Sequence, residues 1–187
     1  MIVKDILIEC ANCLDREDLI TFYQSGVAVD YATACKDASV LLNAYNLVQE
    51  DISCSYLKFE NTEIFNVKNG KIPFTDFKYL PIEILSVCDA FGNKIKHSIS
   101  NGSINVDFSK VEITYVYAFE SKGVNDLSGF ELTPITQRIL AYGTAAEYCL
   151  IKGMYEEAST FHSKYVESLS NALNKTKSIR VKCREWK

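Results

Sequence analysis

Histidine is nearly missing from this chain, with only His97 and His162 in 187 residues. That scarcity removes the commonest general base and the usual nitrogen ligand for zinc. The two lie in distant stretches, and neither H-E-x-x-H nor E-x-x-H occurs, so a helical metal site has no support in the spacing. Glycine-rich phosphate loops are missing too. Gly70-Lys71 looks like the end of one, but Phe65 stands where the earlier glycine belongs and Ile72 where magnesium would need a hydroxyl; Asn69-Gly70 reads as a hairpin turn instead. No G-x-S-x-G appears, and Glu63, Glu83, Asp89, Asp107 and Glu112 have no spacing that makes a carboxylate pair. No apolar run approaches the roughly 18 residues of a membrane span. Met1–Glu9 lacks the basic start and continuous apolar run of a leader, so a chain made in the cytoplasm is expected. No enzyme activity, metal or cofactor is expected.

The cysteines are not scarce, but they have no framework. Cys10, Cys13, Cys35, Cys54, Cys88, Cys149 and Cys183 are odd in number and irregularly spaced, which points to reduced thiols. Cys10-Ala-Asn-Cys13 is formally a C-x-x-C, yet it has no βαβ surroundings and no second pair. On a helix, both sulfurs would share the buried face. Cys183 is the one cysteine expected to be accessible enough for a nucleophile. His162 reads as a solvated helix residue and His97 as the exposed face of a strand.

What the chain does have is apolar and aromatic residues, 48% and 12% of the sequence, enough to bury a core without metal or disulfide. Ile6, Leu7, Cys10, Cys13 and Leu14 have helical spacing; Asp15 is placed to cap a short helix through Leu19 and Tyr23 that Gly26 ends. Ala34, Ala38, Leu41, Tyr45, Val48, Ile52 and Tyr56 predict a long amphipathic helix capped by Asp30. From Glu63 the period becomes two. Strands are expected around Ile64–Val67, resuming as a hairpin at Ile72–Phe74, and at Ile82–Val87, Lys94–Ser100, Ser103–Asp107 and Val111–Phe119, with turns at Asn69-Gly70, Asp89–Asn93 and Asn101-Gly102. The last strand alternates Val111, Ile113, Tyr115, Tyr117 and Phe119 on one face with Glu112, Thr114, Val116 and Ala118 on the other, one face expected to be core and the other half-exposed. After a loop at 121–132, Thr133 is expected to cap a helix with Pro134 in its first position. Ile135, Ile139, Tyr142, Ala146, Cys149 and Leu150 make its stripe. Beyond Gly153, Tyr155, Ala158, Phe161, Tyr165, Leu169 and Leu173 make another. Gly143, Ala145 and Ala146 leave room for close helix approach.

The fold class expected is α+β: an antiparallel helical bundle (1–60 and 133–175), an inserted antiparallel β meander or sandwich (61–120), and an extended C-terminal arm (176–187). From Lys175 onward six basic residues meet only Glu185, a local charge of about +5 that leaves about −9 for the rest. In the arm, Ile179, Val181 and Cys183 alternate with Arg180, Lys182 and Arg184, and Trp186 follows. A segment too polar to fold alone, with a period of two and an aromatic anchor, points to docking on a protein partner, as an added strand. Ile179, Arg180, Val181, Lys182, Arg184 and Trp186 are the docking candidates. A small cytosolic binding module is the competing reading, with a pocket lined by Phe65, Phe74, Tyr115 and Tyr117.

Three stretches carry a family resemblance: Leu41–Val48 (LLNAYNLV), Leu80–Lys94 (LPIEILSVCDAFGNK) and Arg138–Ala158 (RILAYGTAAEYCLIKGMYEEA), together with the Arg180–Trp186 arm. In these the chain resembles the head-to-tail connector proteins of tailed bacteriophages and prophages, of the adaptor type related to podovirus tail tubular protein A. The resemblance implies a virion structural protein: a helical bundle with a β insertion, arranged as a ring, commonly of about twelve copies, below the portal protein. It also implies an arm that reaches toward the portal, a platform for a tail or nozzle protein, and a channel for genomic DNA with no sequence-specific grip.

Overall fold

The computed structural model describes residues 1–27 and 29–175. The chain is α+β: the five helices and two small antiparallel sheets among the described residues fall into two compact units. Among the described residues, one is built from 1–48 and 121–175. The other is the continuous stretch 49–120.

In the first unit, α1 (Val3–Cys13) buries Val3, Ile6, Leu7, Cys10 and Ala11, largely against α4 (Gln137–Ile151). Asp15 does not cap α2 (Glu17–Ser25). It takes a left-handed conformation (φ 55°) in the turn, Arg16 holds the cap position without a side-chain bond, and Glu17 and Asp18 supply the negative charge that favours a helix start. Gly26 ends α2 in the left-handed region. Asp30 does cap α3 (Tyr31–Asp51), accepting from the Thr33 amide at 3.2 Å and its hydroxyl at 2.7 Å.

Helix α4 starts later than the Thr133-Pro134 pair implies. Thr133 instead closes a turn, its hydroxyl donating to the Phe130 carbonyl and accepting from the Ile135 amide, and Thr136 takes the cap position. Both threonines are good caps, and local sequence does not separate them. The turn through Gly153 (φ 76°) leads into α5 (Tyr155–Lys175), which packs on α4. Gly143 makes a close approach possible. A Cβ there would stand 2.8 Å from Val48 Cγ1 on α3 and 3.0 Å from Tyr165 on α5. The 121–131 segment is a loop, but a fixed one: the Val3 and Lys4 amides donate to Asp126 and Val124, Asn46 pairs with both backbone groups of Lys122, and Phe130 is buried.

In the second unit the chain leaves α3 through a single π turn, Ile52–Tyr56, which periodicity alone does not reveal. Strands β1 (Phe59–Asn66), β6 (Lys110–Tyr117) and β3 (Pro81–Asp89) form one sheet in the order β1-β6-β3. Strands β2 (Lys71–Pro73), β5 (Ser103–Asn105) and β4 (Ser98–Ser100) form the other, in the order β2-β5-β4. Asn69-Gly70 and Asn101-Gly102 both adopt left-handed pairs, as their sequences predict. The first turn does not join a hairpin of neighbouring strands, however. Beyond the Lys68–Lys71 bridge β1 pairs with β6, Phe65 opposite Val111 and Phe59 opposite Tyr117, while β2 crosses to the second sheet. Lys94–His97 is not a strand: Lys94 makes an isolated bridge to Cys88, the ladder resumes only at Ser98–Ser100, and His97 lies exposed in the connection. Phe65, Val87, Val111, Ile113 and Tyr115 from the first sheet and Ile72 and Ile104 from the second meet in one core. Of the two alternating faces of β6, the one with Val111, Ile113 and Tyr115 is nearly fully buried there, and Tyr117 packs on the edge of the same cluster.

Candidate functional site

The residues with the most chemical potential are used for structure. Cys10 is buried and Cys13 half-buried on the packed side of α1. Burial pushes both thiols up, Cys10 well above its ordinary value, with Cys13 and Cys149 adding to the rise at Cys10 and Glu9 to that at Cys13, so neither has the thiolate character a nucleophile needs. Cys149 is raised by burial as well. His97 and His162 stand far apart in sequence and on different units, both exposed. Among the described residues no group of three metal-ligating side chains converges, and no helix is long and apolar enough to cross a membrane. The arm residues Ile179, Arg180, Val181, Lys182, Arg184 and Trp186, and Cys183, lie outside the described residues.

The aromatic set proposed as a pocket wall is core. Phe65 and Tyr115 are buried, and Phe74 and Tyr117 pack against them. Phe77, which periodicity did not single out, fits between, edge-on to Tyr115 at 4.9 Å and against Phe65 at 4.5 Å. A concavity of about 480 Å³ in this unit lies beside β1 and β2. Its wall includes Ile64, Asn66, Lys68, Lys71 and Asp76 and shares only Phe65 with the aromatic set. Glu63 sits at the core margin and is held by its neighbours. It accepts from the Tyr115 hydroxyl, from Asn61 Nδ2 at 2.7 Å and from the Lys78 amide at 3.2 Å, which fastens the segment after the 3₁₀ turn (Phe74–Asp76) onto β1.

In the helical unit one buried carboxylate gathers two cations. Asp37 of α3 accepts from Arg16 Nη2 at 2.7 Å and Lys152 Nζ at 2.5 Å. Arg16 also forks onto Asp18 and donates to the Tyr148 hydroxyl at 2.9 Å. Burial alone would raise Asp37, but the bonds from Lys152 and Arg16 outweigh it and hold the carboxyl below the usual range. Burial pushes the Tyr148 hydroxyl up to about 12. The cluster ties the α1–α2 corner, α3 and the end of α4 together. Sequence reasoning missed it because its members are far apart in the chain; the signal was Asp37 inside the apolar stripe Ala34, Ala38, Leu41.

The remaining feature is a surface. Leu150 and Tyr155, both in the predicted apolar stripes, are 52% and 70% exposed. They flank the α4–α5 turn and, with Ala146, Ala158 and His162, line an open depression of about 250 Å³. Ile151 and Met154 extend the exposed apolar surface across the turn. The stripes are thus core for most of their length and open at the hairpin tip. Apolar side chains grouped in this way mark contact surfaces more often than single exposed ones do.

No protein-family model matches this chain, and no curated protein matches it significantly.

Proposed function

We propose that this protein is a virion structural subunit, a ring-forming head-to-tail adaptor that binds a phage portal, extends the DNA channel and offers a platform to the tail. The observation that carries the assembly part of this reading is the apolar tip of the α4–α5 hairpin, where Leu150, Ile151, Met154 and Tyr155 are exposed together. A chain with that surface, an acidic body and a basic arm bearing Ile179, Arg180, Val181, Lys182, Arg184 and Trp186 suits repeated contact between unlike surfaces, as a closed ring requires. The resemblance in Leu41–Val48, Leu80–Lys94 and Arg138–Ala158 supplies the specific assembly. The acidic balance of the body fits a conduit that must not hold its DNA. On this reading the subunit does no catalysis and needs no cofactor; it is made in the bacterial cytoplasm and works at the head–tail junction of the particle.

Quantitative mass spectrometry of purified phage particles tests the proposal. A copy number close to that of the portal protein is expected. Absence from intact, DNA-filled particles would reject the structural role.

A further inference from the structure

The turn that follows β3 holds a phenylalanine out into solvent. Phe91 is 89% exposed, yet the turn beneath it is fixed. The Asp89 carboxylate accepts from the Phe91 amide at 2.8 Å and from the Asn93 amide and side chain at 2.9 and 3.1 Å, and the Asp89 amide donates to the Asn93 carbonyl at 2.9 Å. Both oxygens of the turn's acid are used in these bonds. Lys94 and Lys96, both exposed, follow at once. The feature is an aromatic knob with cations beside it, ordered before any contact is made, so that docking costs it little conformational freedom.

The depression at the α4–α5 tip has the opposite form. Its apolar wall is Ala146, Leu150, Tyr155 and Ala158; Glu147 stands among them, and the exposed Glu156 follows Tyr155. Lys152, the cation of the turn between the helices, is bonded to Asp37 at 2.5 Å. At about 250 Å³ the depression falls below the roughly 300–1,000 Å³ of small-molecule sites and has room for one side chain. Charge separates it from two other hollows. The concavity beside β1 and β2 has Lys68 and Lys71 in its wall against Asp76, and a depression of about 320 Å³ between the start of α4 and the end of α5 has Arg138. Either would set cations against Lys94 and Lys96.

We propose that Phe91 of one copy seats in the α4–α5 depression of a second copy, its ring against Leu150 and Tyr155, with Lys94 and Lys96 toward Glu147 and Glu156. This rests on the assembly reading above and supplies one of its contacts. Knob and depression are different surfaces, so each copy presents both and the contact repeats head to tail. Burial of the ring supplies the attraction, and the charges choose the orientation. One ring is a small contact that adds to the arm and does not replace it.

The test uses the purified full-length chain at physiological salt. Copies in which p-benzoylphenylalanine replaces Phe91 are mixed with isotopically heavy copies that lack the probe and irradiated, and the heavy–light cross-linked peptides are identified by mass spectrometry. The cross-links should fall within residues 146–162 of the heavy copy. They should be at least about tenfold more abundant than from the same probe at Phe108, another exposed phenylalanine of the second unit, because docking raises the local concentration of the reacting groups. Leu150→Glu with Tyr155→Glu in the heavy copies should remove most of them. Lys94→Glu with Lys96→Glu in the probe copies should do the same, and Glu147→Lys with Glu156→Lys in the heavy copies should then restore about half, a rescue that damage to the fold would not give. Cross-links confined to the probe's own chain, falling outside the depression or no more abundant than from position 108 overturn the inference, and so does charge reversal without rescue. None of these results touches the adaptor reading, which stands or falls on the copy number in particles.

Discussion

At the scale of single residues, Gly143 is where the helical unit has no slack. The position is needed for space, not for backbone freedom, since a methyl group would meet Val48 of α3 and Tyr165 of α5 from two sides. Gly143→Ala is therefore expected to destabilise the protein by about 1–3 kcal/mol through overpacking, against the usual gain from replacing a helical glycine. Thermal unfolding measures it, and Val48→Ala in the same chain should restore part of the loss. An increase in melting temperature on Gly143→Ala alone would show that α3 and α5 can move apart without cost. The small residues around 143 were legible in the sequence as a site of close approach. Which side chains meet there was not, because Val48 and Tyr165 become neighbours only through the fold.

At the scale of elements, the cluster on Asp37 shows how the α1–α2 corner, α3 and α4 are registered. Asp37→Asn keeps the shape but loses the charge under Lys152 and Arg16, both of which retain access to water. A loss of about 2–3 kcal/mol is expected, the range for hydrogen bonds to charged groups. Its pH dependence has a definite sign. The folded carboxyl titrates below the unfolded value of about 3.9, so on acidification the unfolded chain takes up the proton first. The contribution is then complete above about pH 5 and disappears as pH falls through the folded value, and the stability gap between wild type and Asp37→Asn should narrow over that range. A gap that stays constant into acid would mean that the ion pairs do not set it. Elements were legible where one local rule decides: α3 with its Asp30 cap, the two Asn-Gly turns, the alternation of β6. They were misread where two rules compete, as in the cap at Thr136 over Thr133, or where pairing is long-range. The exchange of β2 into the second sheet is of that kind, since a turn sequence fixes the turn and not the partner of the strand before it.

At the scale of the whole molecule, two attractions are available to hold copies together, and they respond oppositely to salt. The arm and the body carry about +4 and −8, and contact between exposed charges weakens as the screening length shrinks from about 8 Å at physiological ionic strength to about 3 Å at 1 M. The apolar tip at Leu150, Ile151, Met154 and Tyr155 is not weakened in that way, and kosmotropic salts strengthen its burial. Deleting residues 178–187 removes the first attraction only. Among the described residues both units have substantial cores, so the truncated chain is expected to melt within about 2 °C of the full chain, a small shift on the scale of a 1 kcal/mol change. It should nevertheless fail to assemble at physiological salt, as followed by sedimentation velocity over a range of protein concentrations with portal present. Full-length chain in about 1 M sodium chloride should behave like the truncated one. If assemblies of the full chain persist at that salt and survive the truncation, the arm is not the element that holds copies together. The contact would then belong to the hairpin tip, where Leu150→Glu with Tyr155→Glu should break it.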